Sequence, residues 1–237
     1  MKNKKVLITG SGTGIGLACA KKFLEEGWHV LAHYNTTARA LQILRKTFKE
    51  QMAIVQADFS DNKQLLKFLN LLEKESFSAL VNNAAVYDFS KDFKNRISFA
   101  ERTLKVNAIA PVLIAEIVVK KMRRERRGHI VNISSIAAKY GSPSEHIFYG
   151  VSKRALEGAT RTLARENASS NICVNTIRPG VFDTTFHAKI GKNLSKRISK
   201  IPAKKCGQPE EMAELVFYLC HSNTFMTNQT LTIAGGD

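Results

Sequence analysis

The chain predicts a single α/β domain built on a doubly wound parallel sheet of about seven strands with helices on both faces. Three observations carry this. Short apolar or β-branched runs alternate with longer amphipathic ones from end to end. A glycine cluster closes the first such run, and no low-complexity linker, composition break or repeat divides the chain. Its 237 residues are 44% hydrophobic and 24% charged, which suits one folded core and excludes a disordered chain.

Taken in order, the strand-like runs are Lys5–Thr9, Trp28–His33, Ala53–Gln56, Ala79–Asn82, His129–Ser134, Cys173–Ile177 and Thr230–Ile233. Helical patterns fall near 15–26, 37–50, 61–74, 98–121, 147–167, 187–199 and 209–221. Asp61 is a candidate N-cap, and Pro209-Glu210-Glu211 reads as a helix start. No apolar run is long enough to cross a membrane, and the basic N-terminus leads into too short a run for a signal peptide. Cys19, Cys173, Cys206 and Cys220 are scattered without a CxxC or zinc spacing, so they read as reduced thiols in a cytoplasm, with no metal site.

Gly10, Gly14 and Gly16 lie where the first strand turns into the first helix, within Thr9-Gly10-Ser11-Gly12-Thr13-Gly14-Ile15-Gly16. Glycine there permits a tight turn and lets backbone approach a phosphate, while the helix N-terminus favours the anion. The register is TGxxxGxG rather than GxGxxG. A dinucleotide fold ordinarily places an acid about 20 residues on, to bind the adenosine ribose. Here strand two ends His33-Tyr34-Asn35-Thr36-Thr37, and no Asp or Glu occurs between Glu26 and Glu50. A 2′-phosphate meets no carboxylate there and could reach Asn35, Thr36, Thr37 or Arg39. This favours NADP(H), with NAD(H) as the alternative.

Tyr149 and Lys153 are four apart, so a helix over 147–167 stacks them on one face. A free phenol titrates near 10, and a nearby ammonium lowers it by roughly 1–3 units, which makes the pair a general acid/base.

Together these motifs resemble the short-chain dehydrogenase/reductase family over nearly the whole chain. Asp58, followed by Phe59, is similar to the family's adenine-binding acid. Asn82-Asn83-Ala84-Ala85 resembles its NNAG stretch, with Ala85 in place of glycine. Asn107, followed by Pro111, matches the structural and catalytic asparagine, and Ser135 the catalytic serine. The Ser135–Tyr149 gap is one residue longer than the commonest spacing, so Ser134 remains the alternative. Pro179-Gly180-Val181-Phe182-Asp183-Thr184 resembles the PGxxxT segment that contacts nicotinamide. The C-terminal Gly207–Glu211 and Thr227–Gly236 segments also fit.

The resemblance implies a Rossmann-type sheet of order 3-2-1-4-5-6-7 and hydride transfer between NADP(H) and a carbonyl or secondary alcohol. It implies that Tyr149 donates the proton, Ser135 bonds the carbonyl oxygen, Lys153 holds the ribose and Asn107 anchors a water. Gly10, Thr13, Gly14, Ile15, Gly16, Tyr34, Asn35, Thr36, Asp58, Phe59, Asn83, Ala84, Ala85, Pro179, Gly180, Phe182 and Thr184 would hold the cofactor with Tyr149 and Lys153. Closest in pattern are the 3-oxoacyl-[acyl-carrier-protein] reductases. His33-Tyr34-Asn35 also resembles pteridine reductases, although the arginine of their glycine loop and the aspartate at the Ser135 position are missing. Residues 184–206 are expected to form a mobile substrate lid, and the 98–121 helix carries apolar residues on more than one face, pointing to a homotetramer or homodimer. Tyr140 and His146 are candidates for the substrate mouth. The other histidines, His33 included, read as structural or surface.

The formal charge of +16 is the one feature that suits another class, a basic nucleotide-fold protein that binds nucleic acid without catalysis. No aromatic-interleaved basic stripe supports that class. The cluster Lys120, Lys121, Arg123, Arg124, Arg126 and Arg127 reads as a solvated helix end or as a dock for an acidic partner such as acyl carrier protein.

Overall fold

The computed structural model describes residues 4–87, 92–184 and 194–237. Seven parallel strands form one sheet in the order β3-β2-β1-β4-β5-β6-β7. They are β1 (Lys5–Ile8), β2 (His29–Tyr34), β3 (Met52–Gln56), β4 (Ala79–Asn82), β5 (Gly128–Ile133), β6 (Ile172–Pro179) and β7 (Thr230–Ile233). Side chains alternate across the sheet as a pleat requires. Val6 and Ile8 enter a core with Phe23, Trp28 and Met212, beneath α1 (Gly14–Glu25) and α2 (Arg39–Thr47). Leu7 enters the opposite core with Phe68, Ile114 and Leu163, beneath α3 (Asn62–Glu73).

The helix starts obey local chemistry. The Asp61 carboxylate accepts the Gln64 backbone N–H at 2.9 Å at the head of α3. A capping box joins Gln208 and Glu211 at the last helix, Pro209–His221, with its proline in the first turn.

The expected 98–121 helix is not one helix. It is α4 (Phe93–Leu104), a single π-helical segment at Lys105–Ile109, and α5 (Ala110–Glu125). Apolar periodicity does not register one inserted residue, whereas a π-bulge re-aims the side chains that follow it. The 147–167 helix forms as expected, as α7 (Ile147–Asn167), preceded by the short α6 (Ala137–Tyr140). Of the expected 187–199 helix, Leu194–Ile198 is helical (α8), and 187–193 lies outside the described residues. The helix Pro209–His221 is therefore α9.

The described part of the 184–206 segment is tied down at several points. Ile201 is buried, the Ala203 N–H donates to Gly235 O at 2.9 Å, and Arg197 pairs with the Asp237 carboxylate. These contacts, invisible in a lysine-rich local sequence, anchor residues 194–206 to the chain's last turn.

The basic cluster closes α5 just before β5, at the end of the sheet opposite the strands' carboxyl ends. Lys121 donates to Glu75 O at 2.7 Å, Arg126 donates to Ser169 O at 3.0 Å, and Arg123 bonds Asn167. Three of the six cations thus fasten helix ends together. Among the described residues, no helix is long and apolar enough to cross a membrane.

Candidate active site

A cavity of about 640 Å³ opens at the carboxyl ends of the strands, where a doubly wound sheet ordinarily binds its ligand. One end is made by the turn between β1 and α1. Gly16 has no room for a side chain: a Cβ would sit 2.3 Å from Gly10 O and 2.4 Å from Asn83 Nδ2. Gly12, which the sequence reading left out of the site, is as constrained, with Thr37 O at 2.2 Å from its would-be Cβ. Its spacing two residues after Gly10 was the available signal. Asn83 braces this turn by donating to Thr9 O at 3.0 Å and Gly10 O at 2.9 Å. The Thr9 hydroxyl in return accepts the N–H groups of Asn83 and Ala84.

Beyond the turn, Tyr34, Asn35, Thr36, Thr37, Asp58 and Phe59 line the cavity. Burial pushes the Asp58 carboxyl up, but hydrogen bonds from Ser60 and Asn35 and the charge of Arg102 together hold it below the usual carboxylate range. Arg39, offered above as a phosphate partner, opens α2 as an exposed residue outside the lining. At the other end lie Ala84, Ala85, Ser135, Tyr149, Lys153, Pro179, Gly180, Phe182 and Thr184, with Thr13, Gly14 and Ile15 between.

Tyr149 and Lys153 rise from one face of α7 as their spacing predicts, and both are buried. Lys153 Nζ donates to Ile133 O at 2.8 Å and lies 5.8 Å from the centre of the Tyr149 ring. The Tyr149 phenol and the Ser135 hydroxyl share a hydrogen bond. Ser134 is turned elsewhere: its hydroxyl donates to Glu157 Oε1 at 2.7 Å. The geometry therefore separates the two serines that spacing left open.

The expected lowering of the phenol does not appear. Burial pushes Tyr149 up to about 12, against a smaller opposing effect of Ser135, and pushes Lys153 down to about 8. Desolvation penalises both charged forms and here outweighs their attraction. Tyr149 is consequently a neutral phenol at neutral pH, the form a proton donor needs.

Asn107 sits one layer behind the cavity, in the π-helical segment, fully buried. Its amide donates to Val86 O at 2.9 Å and Ser152 Oγ at 3.1 Å, and its Oδ1 accepts Val86 N–H at 2.8 Å. The side chain thus fastens the post-β4 loop to α7. Tyr140 does line the mouth. His146 does not; it is buried against Tyr87, with ring centres 3.9 Å apart.

Besides Gly12, the sequence reading did not place Tyr87, Arg197, His33 or Glu157 in or beside the site. Tyr87 lines the cavity with its ring centre 4.7 Å from that of Tyr149. Arg197 reaches it from α8. His33, taken as structural, is on its wall. Glu157, one turn after Lys153 on the buried face of α7, accepts two bonds from Arg178 at 2.7 and 2.6 Å. A carboxylate among Leu156, Thr160 and Leu163 was a visible anomaly in the pattern.

The arrangement can hold a dinucleotide along the strand ends with a phenol, a hydroxyl and an ammonium gathered at one end. That defines a nucleotide-dependent oxidoreductase of the doubly wound class. Comparison with known proteins agrees. A family model described as enoyl-(acyl carrier protein) reductase matches residues 10–236. The chain is 32% identical to the uncharacterized oxidoreductase YgfF of Escherichia coli K12, covering 97% of this chain and 98% of that one. It is 30% identical to the 3-oxoacyl-[acyl-carrier-protein] reductase FabG of Aquifex aeolicus, covering 100% and 98%. Among solved structures, ElxO with NADP bound superposes with a TM-score of 0.87 at 29% identity, covering 99% and 98%. The chain belongs to the short-chain dehydrogenase/reductase family and is an NAD(P)-dependent dehydrogenase/reductase.

Proposed function

We propose that the protein uses NADP(H) to interconvert a carbonyl and a secondary alcohol, with a 3-oxoacyl thioester as the leading substrate class and an acyl carrier protein as its bearer. The observation that carries the reading is the Ser135–Tyr149 hydrogen bond beside Lys153 in the wall of the cavity. Residues of the glycine turn, with Asn35, Asp58, Lys153 and Thr184, would hold a reduced nicotinamide dinucleotide, which would supply the hydride for the carbonyl carbon. Ser135 orients the carbonyl oxygen and stabilises the charge that grows on it, and Tyr149 passes its phenolic proton to that oxygen. Lys153, held by Ile133 O, keeps a positive charge near the phenol as the proton leaves. Asn107 is a positioning residue that sets the Val86 loop against α7. The family likeness to FabG supports the thioester substrate.

NADP(H) is favoured because Tyr34, Asn35, Thr36 and Thr37 present no carboxylate to a 2′-phosphate. Calorimetry is expected to show tighter binding of NADPH than NADH, and Asn35→Asp to reverse that order by repulsion. Tighter NADH binding by the unaltered protein would overturn the preference. A panel of β-keto thioesters, dihydropterins and simple ketones, assayed with both cofactors, tests the substrate class. Turnover of dihydropterins alone would replace the thioester reading with the pteridine one.

The same proposal includes a homotetramer. Val106, Ile114 and Val118 are used within the chain's own core, but Ile97, Ile109, Ile147 and Val151 are 65%, 52%, 47% and 48% exposed on α4, the π segment and α7. Covering them favours association. Light scattering is expected to report a multimer at micromolar concentration; a monomer alone would refute it. A reducing, cytoplasmic setting belongs to this proposal as well, resting on four free cysteines.

A further inference from the structure

His33 is the last but one residue of β2, 2% exposed, at the crossing of the two loops that shape the nucleotide end of the cavity. On one side the Gly10 N–H donates to its Nδ1 at 3.2 Å. On the other, its Nε2 lies 2.9 Å from Ala57 O. A carbonyl only accepts and a backbone N–H only donates, so both contacts are satisfied by one form alone: the neutral imidazole with its proton on Nε2. The ring also stacks on Phe59, with centres 4.0 Å apart and planes 6° from parallel. Gly10 has φ +67°, a conformation that leaves its N–H outside any helix or strand ladder. Ala57 precedes Asp58, whose carboxylate is set by Ser60 and Asn35. One ring therefore ties the β1–α1 turn to the β3–α3 loop.

We propose that His33 is a positioning residue for cofactor binding, holding the phosphate-facing turn and the adenine-facing loop in register through its neutral Nε2–H tautomer. The proposal rests on the nicotinamide-dinucleotide reading of the cavity. Both loops must present their backbone groups to one ligand at the same time, so an error in their separation weakens binding even when each loop stays folded. Removing the acceptor also leaves a part-buried Gly10 N–H without its partner. That loss corresponds to about a tenfold change in an equilibrium that depends on the turn.

The test compares three variants by calorimetry with NADPH. His33→Phe keeps the stack on Phe59 and loses both hydrogen bonds. His33→Asn places an amide oxygen near the Nδ1 position and can still accept from Gly10. His33→Gln places its amide nitrogen near the Nε2 position and can donate only to Ala57. The Kd for NADPH is expected to rise about tenfold in His33→Phe, with KM affected more than kcat, and to be largely restored in His33→Asn but not in His33→Gln. Nitrogen-15 spectra of the wild-type protein without cofactor are expected to show the proton on Nε2. Equal weakening by Asn and Gln, an unchanged Kd in a His33→Phe protein that merely melts earlier, or a proton on Nδ1 would each overturn the proposal. The Asn and Gln pair decides the matter even if His33→Phe fails to fold. Wild-type protein that binds neither NADPH nor NADH would remove the cofactor reading itself, and the proposal with it. Normal wild-type binding with indifferent variants removes the proposal alone.

Discussion

Replacing Tyr149 by Phe is expected to lower turnover by about 10²-fold or more, the loss that follows removal of a positioned acid, while NADPH still binds. The phenol shares a hydrogen bond with the Ser135 hydroxyl, and at about 12 it stays protonated across the neutral range. Loss of the hydroxyl leaves the growing oxyanion with Ser135 alone. Lys153→Ala is expected to impair both turnover and cofactor affinity, because that buried ammonium lies between Ile133 O and the Tyr149 ring. Absorbance of the reduced nicotinamide, followed with a substrate found in the panel above, gives kcat, and calorimetry gives the cofactor Kd. Near-normal turnover by Tyr149→Phe would withdraw the phenol from the reaction.

The second large effect is on stability. Glu157 is 2% exposed and accepts from Arg178 through both oxygens, from Ser134, and from the more exposed Arg154 at 3.3 Å. Burial pushes its carboxyl up, yet these donors more than offset that and hold it below the usual carboxylate range. Arg178→Leu strips away the bidentate partner and is expected to cost about 3–5 kcal/mol in urea unfolding, because a buried charge is left without its main counterion. Adding Glu157→Leu is expected to recover much of that loss. A cost near that of a surface pair, about 1 kcal/mol or less, would show that water reaches Glu157 freely.

The pH dependence carries a sign. In the wild-type protein the depressed carboxyl contributes stability above its unfolded value of about 4.3, which is lost as pH falls through the lower folded value. In Arg178→Leu only Ser134 and Arg154 still oppose burial, so the folded value rises and this stabilising contribution is reduced. The variant's deficit should therefore shrink on acidification through that range.

The parallel sheet was legible because each strand is short, apolar and bounded by turn residues and alternates with helical patterns, whereas its strand order was legible only through the family resemblance. Helix α7 and its Tyr149–Lys153 pair were legible from a four-residue spacing alone. The bulge around Asn107 was not, since the apolar periodicity runs on through Lys105–Ile109 and only backbone hydrogen bonds reveal the extra residue. The direction in which the Tyr149 phenol shifts was also misjudged. Spacing places a lysine near a phenol, but it does not say how dry both will be.

By itself, then, the sequence determined the α/β class, the glycine turn and the residue types around the strand ends, because these follow from local periodicity and from what each side chain can do. Tertiary structure alone decided that Ser135 and not Ser134 meets Tyr149, and that Arg39 stays outside the cavity. It also decided that His33 and Glu157 are interior groups with partners 23 and 21 residues away. Such facts depend on which way a side chain turns and on what burial excludes. Neither is set until distant segments have closed around it.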